Sequence, residues 1–343
     1  MNTKENVEKV EYTLPYHQYV DPKVLEEERK NIFYKNWIMV GHTSQVEKVG
    51  DFFTFDLAGE PIIVTRGENE ELHASYNICP HRGAIVERAE YGNKKVFQCI
   101  YHGWTFHLDG TVNKTPNFKE NELQDHKCMT SIRLEVYQGM IFVNLDPDAP
   151  DLQTMYRTFL DQIDEYTFLP SLKLVRENRR VIHANWKSVI DNYLECDHCR
   201  IAHPAFTKTF DLENYSIIPY DNFSYQCTVG SNGEEESGAR FYWIWPNTMI
   251  SIYPGSENIS TTQIIPVDEK STLAIYRYYF VNENLTKEDE ALIKFVDQVR
   301  EEDFEIVELL QSGLHSQAFG KGIYSPTEHA LHHFHQLWKQ AME

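Results

Sequence analysis

Two short stretches decide the fold of this chain: Cys79-Pro80-His81-Arg82-Gly83 and Cys99-Ile100-Tyr101-His102-Gly103-Trp104. Each stretch offers one cysteine sulfur and one histidine nitrogen, and 17 residues lie between His81 and Cys99. A glycine follows each histidine directly, where a tight turn needs a positive φ or a close backbone approach. Strand-like runs flank both stretches. The sequence therefore predicts two matched loops that bind metal between strands.

The arrangement of the four ligands separates two kinds of metal site. Two cysteines and two histidines suit zinc, but a zinc finger places both cysteines in one hairpin and both histidines on one helix. This chain interleaves them. A [2Fe–2S] cluster with two thiolates on one iron and two imidazoles on the other takes the same four side chains. The interleaved spacing favours the cluster over zinc.

A second group of candidate ligands follows the run 189–195, which is predicted to be helical and which Asn185-Trp186-Lys187 leads into. His198 and His203 are five positions apart, which is too far for one face of an ideal helix. We therefore expect a helix end or a distortion between them, and Pro204 favours an end at His203. Taken alone, the pair is more simply explained as two polar residues at a helix end. The cluster loops upstream favour a mononuclear iron, which needs one further carboxylate.

The helix predicted over 286–314 contains a candidate for that carboxylate. Thr286 and Asp289 have the spacing of a capping box. Asp303 falls on the apolar stripe, whose members are Leu292, Phe295, Val296, Val299, Ile306, Val307 and Leu310. The acidic neighbours Glu301, Glu302 and Glu305 fall off it. A buried carboxylate needs a metal or a partner charge, so an ion pair with a buried arginine is the alternative.

Both sites resemble those of the Rieske non-haem iron oxygenases, over roughly residues 30–340. The resemblance implies a [2Fe–2S] cluster on Cys79, His81, Cys99 and His102, and a mononuclear Fe(II) on His198, His203 and Asp303. It also implies that Glu195 links a cluster histidine of one subunit to an iron-ligating histidine of the next. Most members carry Asp there, and this chain carries Glu. Asp197 is a weaker rival that we expect to point elsewhere.

The resemblance further implies an α+β fold in two domains. An N-terminal all-β Rieske [2Fe-2S] domain would span 36–150, and a helix-grip catalytic domain, an antiparallel sheet with helices, would combine 1–35 and 151–343. Local patterns predict a first helix from Asp21 as N-cap with Pro22 at N1, and a helix over 151–168. Strands are predicted throughout 37–146 and in the alternating runs 212–230, 239–253, 260–268 and 271–282. Ser325 is predicted to cap a last helix, with Leu331, Phe334, Leu337 and Trp338 inward.

Several cysteines and histidines remain outside these sites. Cys196 and Cys199 form a Cys-x-x-Cys motif, without the second pair or the thioredoxin-like context that would assign it to zinc or redox chemistry. We predict that this pair, Cys128 and Cys227 are reduced thiols. The last predicted helix carries a histidine group that could mimic a metal site but is predicted to be a solvated face. Its members are His329, His332, His333 and His335.

Composition limits the class of protein and its partners. The formal net charge of -20 argues against nucleic acid as a partner and favours a soluble, cytoplasmic protein that attracts cationic substrates. No apolar run is long enough to span a membrane, and the charged segment 1–11 does not read as a signal peptide. The chain lacks a dinucleotide-binding glycine motif and a ferredoxin-type cysteine set. A separate NAD(P)H-dependent flavin/iron–sulfur reductase, or a reductase together with a ferredoxin, is therefore implied, and the resemblance implies a homotrimer.

The substrate is predicted from aromatic residues and from the resemblance. Within the family the chain is most similar to the branch acting on quaternary ammonium compounds such as carnitine and betaines, where Glu also replaces Asp at the position of Glu195. Aromatic faces bind such cations, and the candidates are Tyr193, Phe241, Trp243, Trp245 and Tyr253. Ordinary sheet core explains each of them equally well. Alternation places Phe241, Trp243 and Trp245 on one face and Tyr242 on the other.

Three functions follow from these features. The first is a monooxygenase that hydroxylates a C–H bond next to nitrogen and so cleaves a C–N bond. The second is an aromatic ring-hydroxylating or demethylating oxygenase on the same fold. The third is an electron-transfer protein without turnover, which would lack the His198/His203 pair and the residues after it.

Overall fold

The computed structural model describes residues 10–119 and 128–343. The prediction that segment 1–11 is not a signal peptide falls mostly outside the described residues, because 1–9 are not described. Within the described ranges the chain forms two seven-stranded sheets, one three-stranded sheet and eight α-helices. No helix in these ranges is long and apolar enough to cross a membrane. The mixture of separate antiparallel sheets and helices confirms the predicted α+β class.

The first half of the chain is built mainly from strands, as predicted. They are β1 (Ile38–His42), β2 (Asp51–Leu57), β3 (Glu60–Arg66), β4 (Leu72–Tyr76), β5 (Tyr91–Asn93), β6 (Phe97–Gln98), β7 (Thr105–Phe106), β8 (Val112–Lys114), β9 (Ser131–Tyr137) and β10 (Met140–Asn144). One antiparallel sheet has the order β1-β10-β9-β4-β3-β2-β5, and the small sheet has the order β6-β7-β8. The cluster loops precede and follow β6.

The second half forms a seven-stranded antiparallel sheet covered by helices. Its strands are β11 (Lys173–Ile182), β12 (Phe210–Pro219), β13 (Phe223–Gly230), β14 (Arg240–Ile244), β15 (Thr248–Ile252), β16 (Asn258–Asp268) and β17 (Ser271–Phe280). The order is β11-β17-β16-β15-β14-β13-β12. The helices of the whole chain are α1 (His17–Val20), α2 (Pro22–Glu28), α3 (Leu152–Ile163), α4 (Trp186–Tyr193), α5 (Cys199–Ala202), α6 (Pro204–Thr209), α7 (Lys287–Leu314) and α8 (His329–Met342).

The strand β10 joins the two halves through its two faces. All five of its residues are buried. Ile141 and Val143 belong to the large core that also contains Trp186, while Met140 and Phe142 pack in a second core with residues of α3. A strand buried on both faces reads as a continuous apolar run, which is the pattern of Met-Ile-Phe-Val here.

Helix starts follow their capping signals in two of the three predicted places. Asp21 accepts from the backbone N–H of Lys23 at 2.9 Å, and both halves of the Thr286/Asp289 capping box are present. The predicted start of α8 is wrong by three residues, because the helix begins at His329. The Ser325 hydroxyl donates to Asp197 at 2.6 Å instead of capping the helix.

The stripe on α7 also differs in part from the prediction. Leu310 is 41 % exposed, whereas Ile293 and Phe304, which the stripe omitted, are buried. Leu310 borders an open cavity beside Leu314 instead of packed core. The stripe around Asp303 is buried as expected at Val296 and Val307.

A buried ion pair and its hydrogen bonds join the helices α2, α4 and α8. Lys187 Nζ on α4 lies 2.6 Å from Glu28 Oε1 on α2, and neither side chain has any exposed surface. The indole N–H groups of Trp186 and Trp338 each donate to the same carboxylate at 2.7 Å. Three segments far apart in sequence therefore meet at one carboxylate.

Candidate active site

The two cluster loops are near copies of each other in backbone geometry. In each loop the cysteine N–H donates to the carbonyl five residues later, and the glycine N–H donates to the cysteine carbonyl, at 2.8–3.0 Å. Gly83 and Gly103 both have φ of 74°, a conformation that favours glycine. The glycines thus allow two turns that present a sulfur and an imidazole in the same way.

The four side chains of these loops fit a two-iron cluster. Cys79 and Cys99 are buried, and the rings of His81 and His102 lie 4.5 Å apart between centroids. Burial raises the pKa of the Cys79 thiol. The buried Nδ1 of His81 has no hydrogen-bond partner among the described residues. A buried polar atom of this kind needs a partner, and an iron atom would supply it.

The second group of candidate ligands lies just after α4. Helix α4 ends at Tyr193, His198 immediately precedes α5, and His203 separates α5 from α6. Pro204 is the first residue of α6. The predicted helix end between the two histidines is confirmed, and it turns both rings toward α7.

One atom of each of the three candidate ligands converges in front of α7. Asp303 Oδ1 lies 2.9 Å from His203 Nε2 and 3.2 Å from His198 Nε2. The outer nitrogens are held by two other carboxylates: Nδ1 of His203 lies 2.8 Å from Glu302, and Nδ1 of His198 contacts Glu195. Each imidazole therefore has one nitrogen fixed and the other directed at Asp303.

Electrostatics at this point follow from the close contacts. Burial alone would raise the pKa of Asp303, but hydrogen bonds from His198 and His203 outweigh it and hold that pKa below its usual range. Burial alone would lower the pKa of His198, but hydrogen bonds to Asp303 and Glu195 raise it to about 9. Positive charge is thus favoured between these carboxylates, as a bound cation requires.

Glu195 and Asp197 are oriented differently, as predicted. The Glu195 carboxylate accepts from the backbone N–H of Asp197 and contacts the ring of His198. Asp197 instead accepts from the hydroxyls of Ser325 and Thr327 at 2.6 and 2.8 Å. Glu302 was missed as a partner of His203, because its place off the apolar stripe of α7 gave no sign of a buried contact.

The prediction of reduced thiols is wrong for Cys196 and Cys199, which form a disulfide. Their Cα atoms lie 5.0 Å apart, within the range of a disulfide. The Cys199 sulfur also lies close to His198 and His203, but a disulfide sulfur is not a thiolate ligand. Cys128 and Cys227 are free cysteines, as predicted.

A cavity of about 110 Å³ opens beside His198, His203 and Asp303. Its phenylalanine and tyrosine residues are Tyr193, Phe206, Tyr215, Phe241, Tyr253 and Phe304, which form an aromatic wall. The ring of Phe241 lies 5.7 Å from that of Tyr253 and 6.3 Å from that of Phe206. Three of the five predicted aromatic candidates therefore line this cavity.

Trp243 and Trp245 do not line the cavity, contrary to the expectation. Trp243 has no exposed surface, and both indoles pack against Phe334 of α8, at 5.5 and 6.0 Å between centroids. Neither tryptophan packs with Tyr242, which belongs to the second core, whereas Trp243 and Trp245 belong to the large core and Phe241 to a small cluster beside the cavity. Helix α8 covers the two tryptophans.

The histidine group on α8 is only partly the solvated face that was predicted. His335 is fully buried, with Nε2 at 2.9 Å from Asp191 on α4 and Nδ1 at 2.6 Å from the hydroxyl of Tyr324. The Tyr19 hydroxyl donates to the same aspartate at 2.7 Å. His329 is exposed. His335 therefore anchors α4 through its contact with Asp191.

Two family models match the chain. The Rieske [2Fe-2S] domain matches residues 36–137, and the ring hydroxylating alpha subunit (catalytic domain) matches 169–233 and 221–343. The carnitine monooxygenase oxygenase subunit of Escherichia coli K12 is 34% identical over 97% of this chain and 94% of its own length. The chloroplastic choline monooxygenase of Arabidopsis thaliana is 30% identical over 95% of this chain and 82% of its own length.

Solved structures show the same likeness. The quaternary ammonium Rieske monooxygenase CntA in complex with L-carnitine superposes with a TM-score of 0.89, at 33% identity, over 97% of this chain and 96% of that one. A Rieske [2Fe-2S] domain joined to a ring-hydroxylase catalytic domain defines an oxidoreductase of the oxygenase class. The chain belongs to the Rieske oxygenases.

Proposed function

We propose that this chain is the oxygenase component of a monooxygenase acting on a small quaternary ammonium compound, carnitine or a betaine-like relative. The reaction is hydroxylation of a C–H bond next to nitrogen, which leads to C–N cleavage. The observation that carries this proposal is the aromatic wall directly beside His198, His203 and Asp303. Aromatic faces replace the hydration of a quaternary ammonium group. CntA, which is similar over nearly the whole chain, has been solved with L-carnitine and with gamma-butyrobetaine.

His198, His203 and Asp303 are the proposed ligands of a mononuclear Fe(II). Two imidazoles and one carboxylate with open positions are the ligand set of non-haem iron oxygenases, in which the iron activates dioxygen. Glu302 and Glu195 hold the outer ring nitrogens, which fixes the orientation of both imidazoles. The aromatic residues around the cavity bind the ammonium group and exclude water from the carbon that reacts.

Cys79, His81, Cys99 and His102 are the proposed ligands of the [2Fe–2S] cluster, which stores the electron. Glu195 is proposed to connect the cluster of one subunit with the iron of the next in a homotrimer. Ile100 and Tyr101 at the cluster tip and Ile201 near the iron site are largely exposed in the single chain, as residues covered by a neighbour would be. A CntA structure is described as revealing inter-subunit electron transfer.

The remaining assignments complete the proposal. Residues 36–150 form the cluster domain, and 1–35 with 151–343 form the catalytic domain, supported by the Glu28–Lys187 pair that joins α2 to α4. A separate NAD(P)H-dependent reductase with flavin and iron–sulfur centres supplies electrons, and the protein is cytoplasmic.

Oxygen consumption by the purified protein with a reductase tests the function. Carnitine and betaines should stimulate oxygen uptake, and the organic products should include trimethylamine or formaldehyde. Naphthalene-like and methoxylated aromatic compounds are the matched comparison. Formation of a cis-diol or a demethylated phenol, without turnover of any quaternary ammonium compound, would replace this proposal with the aromatic alternative.

A further inference from the structure

Arg300 adds a positive charge to the wall of the substrate cavity. It lies on α7, three residues before Asp303, and both residues line the cavity. Residues three apart on a helix share one face. Only 12 % of the Arg300 side chain is exposed. The guanidinium carbon lies 4.9 Å from the ring centroid of Tyr276 and 5.2 Å from that of Tyr278.

The contacts of this guanidinium leave part of its binding capacity unused. Nη1 donates to the Tyr278 hydroxyl at 2.6 Å, and Nη2 donates to Ser260 Oγ. These are two of the five N–H donors that a guanidinium carries. Its nearest carboxylate is Asp297, at 3.8 Å. Asp297 also accepts a hydrogen bond from Tyr278, and it is not part of the cavity wall.

The other charged groups of the cavity are already engaged with each other. Of the described residues that line it, Arg300 is the only arginine, and none is a lysine. The two carboxylates, Glu195 and Asp303, contact the histidines. A substrate that carries only a positive charge would therefore meet a guanidinium whose nearest carboxylate, Asp297, is not part of the cavity wall, and like charges repel in a partly buried site.

We propose that Arg300 binds the carboxylate of the substrate, so that the preferred substrates are zwitterions with both a quaternary ammonium group and a carboxylate. This inference rests on the proposed function and selects within it. The guanidinium fork matches a carboxylate in two parallel hydrogen bonds. Three residues of helix rise by about 4.5 Å, so Arg300 and Asp303 are suited to a molecule with a short spacer between its carboxylate and the carbon that reacts.

The sharpest test uses the unaltered holoenzyme and changes the substrate. Carnitine, its methyl ester and choline share the trimethylammonium group, but only carnitine carries a carboxylate. Binding is measured by titration calorimetry without the reductase, so turnover is not needed. Carnitine should bind roughly ten- to hundredfold more tightly than the ester or choline, because a hydrogen-bonded charge is lost in the latter two.

Variants locate the effect at one residue. Arg300→Gln should weaken carnitine binding by about the same factor and remove the preference over the ester, while Arg300→Lys should retain part of it, because it keeps the charge and loses the fork. Arg176→Gln is the matched control, since Arg176 pairs with Glu290 outside the cavity, and it should leave the preference unchanged. The ester comparison does not depend on whether Arg300→Gln folds.

Two outcomes separate this inference from the proposed function. Equal affinity for carnitine and its methyl ester would overturn the role of Arg300 and leave a quaternary ammonium substrate in place. Failure of carnitine, betaines and choline alike to bind or to be oxidised would overturn the proposed function and this inference together.

Discussion

Replacing Glu28 by glutamine should destabilise the protein by about 3–5 kcal/mol, because it leaves the Lys187 ammonium buried without an opposite charge. Both side chains have no exposed surface. Among the described residues no other carboxylate lies within 4.0 Å of Lys187 Nζ. The rings of Tyr19, Trp186 and Trp338 lie 5.2–5.9 Å away and contribute about 0.5–2 kcal/mol each, which does not replace the carboxylate.

The free energy of unfolding is measured by urea titration, followed by far-UV circular dichroism. The double variant Glu28→Gln/Lys187→Met removes both charges, and it should be at least about 2 kcal/mol more stable than the sum of the two single changes predicts. Glu26→Gln is the control in the same helix. Glu26 pairs with Lys30 on the surface, so this change should leave the urea midpoint where it is.

Two results would show that the buried pair is not what holds these helices. One is an unchanged urea midpoint in Glu28→Gln. The other is a double variant whose loss of stability equals the sum of the single losses within about 0.5 kcal/mol, which is the behaviour of independent sites.

Four further changes test the sites. Asp303→Ala should abolish oxygen-dependent turnover while the visible absorption of the cluster stays unchanged, since only the mononuclear site loses a ligand. Glu195→Gln should keep both metals but slow electron arrival at the iron in single-turnover experiments, because a neutral amide cannot hold two imidazoles in the same charge state. Phe241→Leu should weaken binding of a quaternary ammonium ligand by about 0.5–2 kcal/mol in calorimetry and leave its neutral carbon isostere unaffected. Burial lowers the pKa of His42 to about 4, so its contribution to stability is present above pH 6.5 and is lost as the pH falls to about 4. The free energy of unfolding of His42→Gln should therefore decrease by up to about 3 kcal/mol less than that of the unaltered protein over this pH range.

Each of these expectations has a contrary result. Full turnover in Asp303→Ala would move the third ligand elsewhere on α7. Asp197→Asn is the control for Glu195→Gln, and an equal slowing in both variants would assign the effect to general disturbance of the loop. Equal weakening for cation and isostere would attribute the Phe241 effect to packing, and an unchanged acid transition in His42→Gln would place the acid-sensitive group elsewhere.

Features that depend on neighbouring residues were predictable from the sequence. The spacing of Cys79 and His81 and of Cys99 and His102 predicted two matched loops, because each loop is closed by hydrogen bonds within five residues. The cap at Asp21 and the capping box at Thr286 were predictable for the same reason. Helical periodicity placed Asp303 on the side of α7 that faces His198 and His203, but it left out Glu302, which is equally exposed and also contacts His203.

Features that depend on which distant segment packs against a strand or helix could not be predicted from the sequence. Alternation along β14 and the residue after it correctly placed Phe241, Trp243 and Trp245 in other clusters than Tyr242. It could not indicate that α8 packs over the two tryptophans. The burial of His335 depends on Asp191 and Tyr324, and periodicity on α8 gives no information about those partners. The disulfide joins the two cysteines of the Cys-x-x-Cys motif, and the motif by itself does not distinguish bonded sulfurs from reduced thiols.

The support of α4 by α8 has a consequence for the order in which the protein matures during translation. His198, His203 and Asp303 all leave the ribosome before His335 and Trp338, which are the residues that bind Asp191 on α4 and the Glu28 carboxylate beneath it. A nascent chain therefore carries all three proposed ligands while the helix that leads to them still lacks two of its anchors. The proposed iron site therefore depends on the docking of α8 for the support of the helix that leads to its two histidines.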